Sequence, residues 1–254
     1  MSATLIISSD GPVLDSMLLA RIKAHVSINP LLRPPEADLR RPYLLWNMLF
    51  SSQNCRRSTD QHRSWIEGRD QPATHPRVTS IRVVIKGLPW VITIRAENPT
   101  VGVTCGNVID QISDNLSRPV PKEGMPSTGS SAYRTIIRSY HHNRAPNIDG
   151  VPGGRMGAGV LRKDWLLYKT SFAGLEDSGL EVERLCGSRH MPCTFELVCE
   201  TPDGRADAEM ERSRAQEALE EEEARLRGRR SRPRSGMSRP RSNSTRSTEL
   251  ISIR

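Results

Sequence analysis

The feature that most constrains this chain is a pair of short alternating segments around residue 88. Ile81, Val83 and Ile85 alternate with Arg82, Val84 and Lys86. After Gly87-Leu88-Pro89, Trp90, Ile92 and Ile94 take one parity and Val91, Thr93 and Arg95 the other. Successive side chains on a strand point to opposite faces, so each run offers an apolar side. Two β-rich runs joined by three residues containing glycine and proline predict a hairpin with one buried face. Glu97-Asn98-Pro99 ends it.

What covers that face is read from the neighbouring periodicities. Thr104 is the expected N-cap of a helix carrying Val108, Ile109, Ile112 and Leu116, closed by Arg118-Pro119. Tyr133, Ile136, Ile137 and Tyr140 follow the spacing of a core-facing helical stripe, and Pro146 stops it. Two further strands are expected at Trp165–Tyr168 and at Thr194–Glu200, the latter with Phe195, Leu197 and Cys199 on one side. Upstream, strand parity over Tyr43–Phe50 places Leu44, Trp46, Met48 and Phe50 together. Residues 51–76, polar and containing Pro72 and Pro76, are expected as a long loop, and the five glycines between 150 and 159 as another.

The fold class is therefore α+β: a mainly antiparallel sheet of about four or five strands with two packed helices, spanning residues 29–202. Residues 1–28 are patchy and expected to be poorly structured. Thr201-Pro202-Asp203 opens a charged helix over 203–226 whose apolar stripe, Ala206, Met210, Ala215 and Leu219, is thin. A solvent-exposed helix is the expectation, with coiled-coil assembly through it the alternative. Residues 227–254 are rich in Arg, Ser and Pro and nearly devoid of apolar groups. Such a segment cannot offset the entropy of ordering and is expected to be disordered.

Charge divides the chain in the same places. The whole sequence has 37 Lys and Arg against 29 Asp and Glu, a net charge of +8. Residues 227–254 hold 9 arginines and one acid, Glu249, which alone gives +8. Residues 203–226 hold 4 arginines and 9 acids, and the preceding 202 residues carry +5, so residues 1–226 sum to zero. A polyanion partner is thus an argument about the tail first.

Arg227, Arg229, Arg230, Arg232, Arg234, Arg239 and Arg241 are the candidate polyanion-binding residues. Ser231, Ser235 and Ser242 lie beside them as candidates for phosphorylation. Disordered Arg-rich segments bind RNA electrostatically or direct nuclear import, although a merely solubilising linker has the same composition. Each phosphate would add roughly −1.5 to −2 charges and weaken such binding.

Other chemistries lack their usual signatures. Cys186, His190, Cys193 and Cys199 do not have the paired short spacing of a structural zinc site, and Cys199 shares parity with core residues. The glycine-rich loop matches neither a dinucleotide-binding nor a P-loop pattern. His141 and His142, with Asp149 nearby, are not accompanied by a nucleophile elbow or a paired-histidine metal motif. Arg134, Arg138, His141 and Arg144 form a basic helix face that suits either solvent or a phosphate backbone. No catalytic, cofactor-binding or metal-ligating residue is assigned.

Compartment follows from similar arguments. No run of about 18 apolar residues suits a membrane span. Leu5-Ile6-Ile7 is cut short by Ser8, Ser9 and Asp10, against a secretory signal. The five cysteines, an odd number without a framework, are expected as reduced thiols in an intracellular protein, nuclear or cytoplasmic.

Several residues together also carry a family likeness. They are Asn29-Pro30-Leu31-Leu32, the Trp46 run, Pro72-Ala73-Thr74, Leu88-Pro89-Trp90 and Val103-Thr104. Further along come Arg118-Pro119-Val120, Tyr133, Arg144, Gly150-Val151, Asp164-Trp165-Leu166 and Phe172-Ala173-Gly174-Leu175. In order and spacing, residues from about 29 to 200 resemble an uncharacterised fungal family abundant in basidiomycetes, domain of unknown function 6699. The family tends to place glycine after its Asp-aromatic-Leu triplet, where this chain has Leu167. The resemblance implies one intracellular α+β domain and supplies no reaction. The expected function is a non-catalytic intracellular interaction module, with an unidentified protein partner and RNA or import machinery on its tail. The alternative is an enzyme of unrecognised type with a site near the 141–159 loop.

Overall fold

The computed structural model describes residues 11–22, 24–35, 41–60, 62–177, 179–187 and 192–202. Its centre is the expected hairpin. Strand β5 (Ser80–Ile85) pairs antiparallel with β6 (Ile92–Arg95), Ile81 opposite Ile94 and Val83 opposite Ile92. On its other side β5 runs parallel to β8 (Thr194–Glu200), and β8 pairs antiparallel with β7 (Ser171–Glu176). The sheet order is β6-β5-β8-β7, so two of its three pairings are antiparallel.

Both helices expected to pack on the sheet are present. Helix α2 (Cys105–Leu116) starts where Thr104 accepts from the backbone of Asn107, while the Asn107 side chain accepts from the Thr104 backbone. This reciprocal cap satisfies two otherwise orphaned amides. Val108, Ile109, Ile112 and Leu116 are fully buried against the sheet side of the core. Helix α3 (Ser131–Asn143) begins at Ser130, whose hydroxyl accepts from Tyr133 N.

Several expectations change. β5 buries Val84 as well as Ile81, Val83 and Ile85, so the hairpin has more than one buried face. The reason is position: β5 is a central strand, and helix α4 (Gly179–Cys186), not foreseen in the sequence, packs against β5 and β8. Val84 and the α4 residue Val182 are buried outside the main core cluster.

The strand expected at Trp165–Tyr168 is a short 3-10 helix, Arg162–Leu166, because Asp164 Oδ2 accepts from Leu161 N and coils the chain. The strand begins only at Ser171. Along it, Gly174 has φ +121°, and a Cβ there would lie 2.3 Å from Pro34 N. Only glycine fits that approach.

The Tyr43–Phe50 segment is strand for only two residues. β2 (Leu44–Leu45) pairs with β3 (Arg56–Arg57). The chain then runs beside β7, with Phe172 N donating to Trp46 O at 2.8 Å and Met48 N to Thr170 O at 2.7 Å. Parity holds for buried Leu44, Trp46 and Met48. It fails at Phe50, where a turn closed by Phe50 N on Asn47 O buries Leu49 instead.

The expected 51–76 loop is anchored by buried Cys55 and Trp65 and contains β3 and part of a second small ladder. In that ladder β1 (Ser27–Ile28) pairs with β4 (Thr74–His75). Residues 14–28, for which no firm structure was expected, also include helix α1 (Ser16–Ile22) and fully buried Leu19. Met17, Leu18 and Ile22 are exposed, and one buried side chain is a weak sequence signal for a helix this short. Among the described residues, no helix is long and apolar enough to cross a membrane. The 203–226 helix and the 227–254 tail lie outside the described residues.

Candidate functional site

The site grows from a short sequence, Arg162-Lys163-Asp164, that would ordinarily pass for solvated charge. Here Lys163 and Asp164 are buried, with Asp164 fully so. A buried carboxylate is tolerated only when paired and hydrogen-bonded. Asp164 Oδ1 accepts from Asn143 Nδ2 at 2.8 Å and from Arg144 Nη1 at 3.0 Å, and Oδ2 from Leu161 N at 2.8 Å and Arg144 Nη1 at 3.2 Å. The carboxylate thus ties the end of α3 to the segment that follows the glycine-rich loop.

Arg144 distributes the rest of its guanidinium over that loop. Nε donates to Gly157 O at 2.9 Å, Nη2 to Gly159 O at 2.8 Å and Nη1 to Tyr140 O at 3.0 Å. The guanidinium carbon also lies 3.8 Å from the centre of the Tyr140 ring. A planar fork of five donors suits such multiple attachment, which a lysine ammonium could not reproduce. From the other side, Asn47 Nδ2 donates to Gly150 O at 3.0 Å. The glycine-rich loop is therefore held at both ends, and Arg144 is not available to a phosphate backbone as its place on the basic helix face suggested.

Between this loop and residues 49–51 lies an open cleft of about 800 Å³. Leu49, Phe50, Val151, Met156 and Leu161 give it apolar walls, and Ser51, Ser117, Arg155 and Lys163 supply its polar groups. Lys163 is 8% exposed, and its Nζ donates to Leu49 O at 3.0 Å. Burial pushes its amine below the usual lysine range; Asp164 opposes that shift and the Arg144 charge reinforces it.

The residues singled out in the sequence fare unevenly. Arg227, Arg229, Arg230, Arg232, Arg234, Arg239 and Arg241, with Ser231, Ser235 and Ser242, lie outside the described residues. Arg134, Arg138 and His141 are exposed on α3. His142 is half-buried with its ring edge-on to Tyr168, and burial lowers its pKa. Asp149 is exposed in the loop, and no hydrogen bond joins it to either histidine.

Four thiols are driven away from reactivity. Burial pushes Cys55, Cys105 and Cys199 up to about 12 and Cys193 up to about 11. They are protonated at neutral pH and poor nucleophiles or ligands. Among the described residues, no three His, Cys, Asp or Glu side chains cluster to hold a metal ion. His190 lies outside them.

Sequence reasoning missed Lys163 and the Asp164–Arg144 pair. Arg144 and the Asp-Trp-Leu triplet were visible as separate marks of the family likeness, but nothing in one sequence couples positions 20 residues apart. The departure at Leu167 was visible, and it has a structural counterpart. Leu167 has φ 56° and ψ −114°, a conformation that favours glycine.

No curated protein and no solved structure matches the chain. Residues 44–184 match the family of unknown function DUF6699, a narrower span than the likeness drawn from the sequence. That span holds the hairpin, α2, α3, the glycine-rich loop and the Asp164–Arg144 pair, and over it the chain belongs to the DUF6699 family.

Proposed function

We propose that this chain is a non-catalytic intracellular interaction module. Its folded domain offers the cleft as a fixed binding surface, and its arginine-rich tail engages RNA or import machinery. The observation that carries the domain half is the occupation of Asp164 and Arg144. Both oxygens of the carboxylate and all three guanidinium nitrogens are spent on shaping the site. A general base needs a free acceptor facing its substrate. Asp164 has the wrong surroundings for that role, and His141, His142 and Asp149 are engaged or exposed separately. The tail half is supported by the +8 carried by residues 227–254.

The tail half is tested in the full-length protein with Arg227, Arg229, Arg230, Arg232, Arg234, Arg239 and Arg241 changed together to glutamine. On single-stranded RNA the native protein should lose affinity with salt at a logarithmic slope of about −0.7 per neutralised phosphate. The variant should bind with a much flatter slope and lose nuclear accumulation. Unchanged retention on RNA together with unchanged nuclear accumulation overturns the tail reading.

A further inference from the structure

The charges around the cleft do not balance. Arg144 and Lys163 are cations, and among the described residues Asp164 is the carboxylate paired with this buried group. Asp164 is already committed to Arg144, Asn143 and the Leu161 amide, which leaves one positive charge in excess. Lys163 shows the consequence. An ammonium has three donors, and the structure gives Nζ a single acceptor, the Leu49 carbonyl. Among the described residues, no Asp or Glu lines the cleft that Lys163 and Leu49 share.

A buried cation whose neighbouring carboxylate is shared with a second cation is costly. It is retained at little net cost where a ligand supplies the missing anion. The walls define the remainder of that ligand: Leu49, Phe50, Val151, Met156 and Leu161 are apolar, so whatever adjoins the anionic group should be hydrocarbon. A volume of about 800 Å³ falls in the usual range of about 300–1,000 Å³ for small-molecule sites.

We propose that the cleft binds a small amphipathic monocarboxylate, its carboxylate paired with Lys163 and its apolar body against Phe50, Val151 and Met156. One negative charge neutralises the buried Arg144–Asp164–Lys163 group. Arg155, exposed at the cleft, adds attraction at long range that salt would screen. The loop is held by Arg144 and Asn47 before any ligand arrives, so little ordering entropy opposes binding.

Calorimetric titration of the full-length protein with octanoate and octanamide tests this directly, since the two probes share their apolar body and differ in charge. Octanoate should bind at least about tenfold more tightly, equivalent to ~1.4 kcal/mol. Lys163→Met should erase that preference while leaving octanamide binding in place. Equal affinity for the two probes, binding of neither, or a preference that survives in Lys163→Met overturns the proposal. Should Lys163→Met fail to fold, Met156→Trp at a half-buried wall position decides instead. Loss of at least about tenfold in octanoate affinity supports the cleft as the site, and retention overturns it. This inference is independent of the arginine-rich tail, so its failure leaves the RNA reading standing and the reverse also holds.

Discussion

Helices α2 and α3 are nearly equal in length, 12 and 13 residues, and each starts with a hydroxyl cap. Their buried faces are nevertheless opposites. On α2, Val108, Ile109, Ile112 and Leu116 are fully buried, and hydrophobic transfer holds the helix to the sheet. On α3 the stripe expected to face the core is half-buried except for Ile136. The fully buried side chains are the polar Ser139 and Asn143. Asn143 reaches Asp164, and Arg144, just beyond the helix, reaches it too. One helix is glued by apolar area and the other is pinned by a charged knot, and the cleft lies on the pinned side.

The sharpest way to break this contrast is Asp164→Ala. It removes the carboxylate shared by Arg144, Asn143 and the Leu161 amide, a loss of about 4 kcal/mol by analogy with other broken buried pairs. Ile112→Ala removes buried methyl groups from α2 and should cost about 3 kcal/mol. The two should differ in kind as well as size. In hydrogen exchange, Asp164→Ala should first expose amides of α3 and of residues 150–159 while α2 stays protected. Ile112→Ala should lower protection across the sheet and α2 together. Uniform loss in both variants would mean that α3 and its loop are not a separately held unit.

The same contrast explains what the sequence disclosed. The hairpin, α2 and β8 depend on apolar periodicity, which is local, and their positions are legible from Ile81, Val83, Ile92, Ile94, Val108 and Ile112. The capping role of Thr104 is equally local. The cleft depends on Asp164 meeting Arg144 and on Lys163 meeting Leu49 O, 114 residues away, and such partnerships leave no periodic trace in one chain. β7 was missed because Gly174 interrupts its apolar run, and the glycine is there for Pro34, a neighbour distant in sequence.

Leu167 allows a gentler test on the pinned side. Its φ of 56° and ψ of −114° place a branched side chain where glycine is preferred, a strain of about 1–3 kcal/mol. Leu167→Gly relieves it but gives the unfolded chain more freedom, worth about 0.4–1 kcal/mol. The net gain should be about 1 kcal/mol, seen as a rise of roughly 2–4 °C in the melting midpoint for a domain of this size. Leu167→Ala retains the strain and should show no such rise. A lower midpoint for the glycine variant would show that the Leu167 side chain contributes more by packing than its backbone costs.

The smallest effect expected is a pH response confined to α3. His142 is half-buried against Tyr168, and burial lowers its pKa from the ordinary 6.5. In the folded protein the neutral ring is favoured, whereas the unfolded chain takes up its proton near pH 6.5. The unfolded state therefore binds more protons in the window below 6.5, and stability falls as pH drops from there through the lowered folded value. Above that window His142 contributes no slope. The buried face of α2 has no counterpart, since Cys105 is pushed up to about 12 and stays protonated throughout the acid range. Urea midpoints measured from pH 7.5 to 5 should thus decline less in His142→Gln than in the native chain. Identical declines would mean that the His142–Tyr168 contact does not discriminate between the two protonation states.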